Sequence, residues 1–150
     1  MKNTKVLLYS TIAGLFISYI PGLVFSPSGH VKTDCGKYSH GKGLDVTGKP
    51  FQDFWSFYPY YVCEHQQPRT KLFHFIASLN VLCLLANMTT SGFNITTPIL
   101  GLFQGYGLAW ISHFWIEKNK PATWQYPGYS FAGDFVLFSE VLSGEYIIWE

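Results

Sequence analysis

Charge is scarce in this chain. Only 13% of its residues are Asp, Glu, Lys or Arg, and the formal net charge is +1. No basic stripe is interleaved with aromatics, so nothing holds a polyanion, and nucleic acid is excluded as a partner. Cysteine is scarce as well. Cys35, Cys63 and Cys83 show no CxxC spacing, which leaves no arranged thiolates for a metal, and an odd count argues against a disulfide framework. They read as small, inert packing residues. There is no internal repeat, and 150 residues leave room for one domain.

What the chain has instead is apolar and aromatic. Phe, Trp and Tyr make up 19% of it, a shift away from soluble usage toward membrane proteins. A mean hydropathy of only +0.13 adds a substantial wet portion. Segments 6–25, 72–88 and 95–116 contain no Asp, Glu, Lys or Arg. Crossing about 30 Å of hydrocarbon takes roughly 20 helical residues; the first and third segments reach that length, and the second is marginal. The expected fold class is therefore all-α: a small integral-membrane helical bundle with three membrane helices plus amphipathic and interfacial helices.

Residues 1–25 are expected to be an N-terminal membrane anchor. Lys2 and Lys5 ahead of an apolar core also resemble a signal peptide, but the run is long, no A-x-A-like site follows, and Pro27 would spoil cleavage after Ser26. Pro21-Gly22 is a place for the helix to kink or end, or for a re-entrant turn. Residues 26–50, rich in Gly, Lys and Ser, form a loop, with His30 and His40 as solvated loop residues.

The stretch FQDFWSFYPYYVCEH (51–65) is expected to be interfacial and partly helical, broken or kinked near Pro59. Tyr60, Tyr61, Trp110 and Tyr126 would belong to an aromatic belt at the headgroups. Helices over 72–88 and 95–116 form a hairpin with an uncharged connector, and 129–142 is a shorter amphipathic helix interrupted by Asp134 and Glu140. Residues 145–150 are a tail. Arg69 and Lys71 enter the hairpin and Lys118 and Lys120 leave it. The positive-inside rule puts both ends in the cytoplasm, with these side chains as snorkelling anchors.

The histidines give the hairpin its chemistry. His65 lies just before the basic entry, while His74 and His113 fall about one turn inside the same membrane face at 1.5 Å rise per residue. Three imidazoles thus share one depth. Glu117 follows His113 at i+4, on the same face of an α-helix, whereas Glu64 beside His65 would point elsewhere. Ionisable groups in such helices face a bundle interior or a pathway. Imidazoles with a carboxylate suit a divalent transition metal: three His and a Glu hold Zn or Fe, and two His with a carboxylate favour non-haem Fe(II) and oxygen chemistry. Spacing does not separate these. The candidate metal-ligating and catalytic residues are His65, His74, His113 and Glu117, the last either as a ligand or as acceptor of an imidazole N–H. Asp134 either faces the site or serves structure, and Asn119, Pro121 and Thr123 shape the helix exit.

The segments FWSFYPYYVCEHQQPRTKLFHF and GYGLAWISHFWIEKNKPATWQYPGYSFAGDF carry more than spacing. The pairing of E-H-x8-H with G-x-A-W-x-x-H-F-x-x-E-K-N-x-P-A-T resembles the 2-hydroxy fatty acid dioxygenases, typified by a fungal endoplasmic-reticulum enzyme of phytosphingosine breakdown, and their short bacterial relatives. The resemblance covers residues 51–144, which it marks as a dioxygenase-like membrane domain. It implies Fe(2+)-dependent α-oxidation, in which a long-chain 2-hydroxy fatty acid and O2 give the acid one carbon shorter, CO2 and water. The family's histidines map onto His65, His74 and His113, and its following acid onto Glu117; its usual glycine before the third histidine is Ser112 here. The reaction releases from substrate the four electrons that O2 takes up, so no external reductant is needed. The implied location is the endoplasmic reticulum membrane in a eukaryote or the cytoplasmic membrane in a bacterium, with membrane lipid as surroundings. Two other functions fit the residues: a non-catalytic scaffold or lipid-binding protein with hydrogen-bonded histidines, and a Zn-dependent membrane hydrolase.

Overall fold

The computed structural model describes residues 2–18, 33–39, 44–45, 49–146 and 148, and among these five α-helices carry the fold. They are α1 (Lys2–Ser18), α2 (Phe54–Cys63), α3 (Pro68–Ser91), α4 (Thr96–Ser112) and α5 (Pro127–Ser143), and α4 runs on into a π-helical turn, His113–Glu117. The expected loop also contains a small antiparallel pair, β1 (Tyr38–Ser39) with β2 (Leu44–Asp45). His30, His40, Pro21 and Gly22 lie outside the described residues.

The helix boundaries follow from local chemistry. Asp53 accepts from the Ser56 N–H at 2.8 Å, and the Ser56 hydroxyl accepts in return from the Asp53 N–H. This capping box starts α2. Pro68 and Pro127 stand in the first turns of α3 and α5, where the missing N–H is not needed. Gly144, at φ 81, stops α5. Pro59 does not break α2, which runs unbroken through it.

α3 and α4 form the expected hairpin, and α1 packs antiparallel along α3. Near one end of the pair, the Asn3 amide donates to Thr97 Oγ1 and the Asn87 amide to Asn3 Oδ1; at mid-helix, Asn80 accepts from the Ser10 hydroxyl and donates to Thr11. Asn80, 1% exposed, is thus a hydrogen-bonded link between helices, the polar bonding that joins helices where no hydrophobic force does. By length and composition, α3 is the one helix among those described that is long and apolar enough to cross a membrane.

The aromatic stretch, apart from the exposed Trp55, is a core rather than an interface. Phe57, Tyr60 and Tyr61 of α2 are at most 1% exposed and cluster with Ala122 and Leu137. Phe51 stacks on Tyr60 at 5.1 Å, Phe57 meets Tyr126 at 5.1 Å, and the Tyr126 hydroxyl accepts from the Phe51 N–H. Of the four proposed belt residues, only Trp110 is exposed. The reason is the fold: α2 and α5 enclose these rings, and ring packing outweighs the interfacial preference. Lys71 is likewise no snorkelling anchor. It is 7% exposed, donates to the carbonyls of His65 and Gln66, and lies 5.2 Å from the Tyr146 ring centre.

The cysteine expectation is also corrected. Cys35 and Cys63 form a disulfide that ties the 33–39 segment to the end of α2, and Cys83 is free. Pairing two of three defeats the parity argument. Such bonds persist in oxidising compartments, which runs against the cytoplasmic placement suggested by Arg69, Lys118 and Lys120.

Gly133 is the tightest packing point beside the rings: a Cβ there would meet three Tyr61 ring atoms at 3.2–3.3 Å. Tyr61 is buried and hydrogen-bonded to Asp134, so it has nowhere to go. Gly133→Val is expected to destabilise by about 1–3 kcal/mol through overpacking. Gly107→Ala, whose Cβ meets nothing within 4 Å, is expected to be neutral or to stabilise by up to about 1 kcal/mol. Thermal unfolding of the detergent-purified variants checks both.

Candidate metal centre

Three elements deliver the histidines. His65 stands in the turn after α2, His74 one and a half turns into α3, and His113 where α4 passes into its π turn. All three are buried, at 0%, 4% and 2% exposure, and their ligand atoms lie within 4.8 Å of one another. The structure thus brings together the three imidazoles that the sequence set at one depth.

Each ring has one nitrogen already committed. His65 Nδ1 lies 2.5 Å from the Tyr61 carbonyl, and His74 Nδ1 lies 2.7 Å from Asp134 Oδ1. Both partners are acceptors only, so both Nδ1 atoms carry the proton. His113 Nδ1 is 2.8 Å from Asn119 Oδ1. The orientation of that amide is fixed from its other side, because Asn119 Nδ2 donates to the carbonyl and the carboxylate of Glu64, each at 2.9 Å. Oδ1 must therefore face the ring, and His113 Nδ1 is protonated too.

The three Nε2 atoms remain. His65 Nε2 and His74 Nε2 are 3.2 Å apart, and two acceptors at that distance cannot bond each other. A proton shared between them would join them, with the Asp134 carboxylate beside His74 as its counter-charge. A divalent cation in the same place would join all three rings. Nitrogens bound at about 2.0–2.1 Å to one ion stand about 3.0–3.4 Å apart, and neutral imidazoles are good ligands for first-row transition metals. The donor set fits a metal on its chemistry: three buried imidazoles, each oriented from behind by a bond at Nδ1.

Glu117 does not join this group. Its Oε1 accepts from the Gln67 N–H at 2.7 Å, closing the turn that opens α3. The i+4 argument fails because the helix widens into a π turn directly at His113, with the Lys118 N–H bonded to the His113 carbonyl. That wider turn carries residue 117 off the imidazole's face. Burial raises the Glu117 pKa, partly offset by the Gln67 N–H. Lys118 then takes φ 60, the one positive φ outside glycine among the described residues, and this reversal returns Asn119 to His113.

The orienting groups were largely missed from sequence. Tyr61, read as an interfacial ring, supplies its carbonyl to His65, packs on that ring at 4.1 Å, and donates its hydroxyl to Asp134. Asn119 was read as shaping the helix exit, and Glu64 as pointing elsewhere. The only signal available was that Glu64 directly precedes His65 and that Asn119 follows Glu117 by two, inside the quoted motifs.

The His65 shift sets a pH dependence. Its folded pKa is depressed below the unfolded value of about 6.5, so the unfolded chain binds the proton more readily. The stability this contributes is fully present above about pH 6.5 and is lost as pH falls below it. Melting temperature of chelator-treated protein is expected to drop between about pH 6.5 and 5, with little change from 7 to 8.

No curated protein and no solved structure gave a significant match. A family model does match, described as 2-hydroxy-palmitic acid dioxygenase Mpo1-like, over residues 51–146. That span holds all three histidines and their orienting partners, and the chain belongs to the Mpo1-like family.

Proposed function

We propose that this protein is an Fe(II)-dependent membrane dioxygenase that converts a 2-hydroxy fatty acid and O2 to the acid one carbon shorter, CO2 and water. The observation that carries the proposal is the convergence of three buried imidazoles whose ligand atoms lie within 4.8 Å of one another, each ring held by a bond at Nδ1. Family membership supplies the reaction class.

Bound iron would supply Lewis acidity and electron transfer to oxygen. His65, His74 and His113 would hold it. Tyr61, Asp134 and Asn119 keep the three rings in the ligating tautomer, and Lys71 fixes the turn that carries His65 through its bonds to the His65 and Gln66 carbonyls. Burial excludes bulk water from the ligand atoms. Glu117 acts on the fold of the α2–α3 turn rather than on the metal.

Membrane insertion belongs to the same proposal. Leu8 and Phe16 of α1 and Phe103 of α4 are 57–77% exposed, an apolar surface that water does not favour. With α3 between them, α1 and α4 would make the three expected spans, which places the histidines near one lipid boundary.

Purified protein is expected to hold about one iron. His74→Ala and His113→Ala are each expected to abolish both iron retention and turnover of 2-hydroxypalmitate, and full activity in either variant would overturn the ligand set. Turnover that persists without oxygen would favour a Zn hydrolase, and metal-free protein indifferent to chelator would favour a scaffold.

Asn119→Ala removes the acceptor behind His113 and is expected to weaken iron binding about 10–100-fold. Glu117→Gln keeps an acceptor for the Gln67 N–H and is expected to retain iron. Competition titration against a chelator measures both.

A further inference from the structure

An apolar cavity of about 230 Å3 runs between α3, α4 and α5. Its register follows from two close contacts: Gly105 of α4 lies beside Val81 of α3, and Gly101 beside Leu84. One end is therefore the level of Ser78 and Tyr106, and the other the level of Leu85 and Pro98. From Ala77 to Leu85 the helical rise makes it about 12 Å long.

The two ends differ in chemistry. Asp134, Ser78 and Tyr106 stand at the first, whereas the far end is apolar apart from Thr97, whose hydroxyl already accepts from Asn3. Asp134 is also the carboxylate bonded to His74 Nδ1. The cavity thus starts at a side chain that orients the histidine centre and leads away from it along the hairpin.

Gly101 and Gly105 keep this space open. In membrane helices a G-x-x-x-G pair ordinarily lets two backbones close on each other. Here the nearest atoms to an added Cβ are side-chain tips, Leu84 Cδ1 at 3.7 Å and Val81 Cγ2 at 3.4 Å. A methyl group fits at either position, and a longer side chain would occupy the cavity.

We infer that the cavity receives the alkyl tail of a single-chain carboxylic acid whose polar head lies at the histidine centre, and that Gly101 and Gly105 set the chain length accepted. The identity of the head group rests on the function proposed above; the tail site does not. The polarity gradient selects a molecule with one polar end, and the shared Asp134 fixes which end faces the imidazoles.

The test uses full-length protein in detergent and a palmitic acid carrying a photoreactive group at its methyl terminus, so that no turnover is required. Crosslinks are expected at Leu85 or Pro98, displaced by 2-hydroxypalmitate and lost in Gly101→Leu. Crosslinks confined to the outer faces of α1 and α4, or indifferent to competitor, would mean a cavity that holds bilayer lipid only and would overturn the inference. In turnover assays, Gly101→Leu is expected to lower the preference for 2-hydroxypalmitate over 2-hydroxyoctanoate by about tenfold or more, with iron content measured alongside. Turnover with an unchanged preference and unchanged iron would sink the tail site and leave the proposed function standing. Competed crosslinks at Leu85 or Pro98 without turnover of any 2-hydroxy acid would support the tail site and sink the proposed function.

Discussion

The structure depends on a proton placement. In a buried imidazole, whichever nitrogen donates decides what the other can do, and here all three rings donate from Nδ1 to an oxygen: a carbonyl, a carboxylate and an amide Oδ1. The consequence is that the opposite edges of three buried rings are left to one another, with His65 Nε2 and His74 Nε2 3.2 Å apart. Unpaired buried acceptors are costly, so a proton or a cation between these rings would stabilise the group. Three imidazoles each oriented from behind could hold a cation at that point.

Much of the rest of the fold holds that placement. The turn between α2 and α3 is closed three times over, by Lys71 on its carbonyls, by Glu117 on the Gln67 N–H, and by Asn119 on Glu64. The π turn and the left-handed Lys118 reverse the chain within a few residues of His113, which is what brings Asn119 back to the ring. A local departure from α-geometry of this kind carries strain, and π turns recur at functional sites. The aromatic core fixes the back of the site: Tyr61 touches His65, His74 and Asp134 at once and is wedged against Gly133.

The legible part of the molecule was the part governed by periodicity. The expected helices at 72–88, 95–116 and 129–142 appear as α3, as α4 with its π turn, and as α5, and equal depth correctly grouped His65, His74 and His113. What was illegible depended on tertiary context. Aromatic density suits both a headgroup belt and a core, and only the packing of α2 against α5 decides between them. The i+4 rule presumes an α-helix, so one widened turn was enough to misplace Glu117. Cys35 and Cys63 are separated by 28 residues, and nothing local announces that pairing. Asp134 lies 60 residues from His74, a distance over which sequence carries no register at all.

That long-range reach says how the centre comes into being. His65 and Tyr61 come from one end of α2, His74 from α3, His113 and Asn119 from the end of α4, and Asp134 from α5. No two adjacent helices alone contain a complete set of rings and orienting groups. The α3–α4 hairpin alone leaves His74 without its acceptor, which α5 supplies, and α5 packs on the same aromatic cluster that seats Tyr61. The carboxylate that completes the centre also caps the apolar cavity beside it. Docking of one helix therefore assembles ring orientation and cavity together.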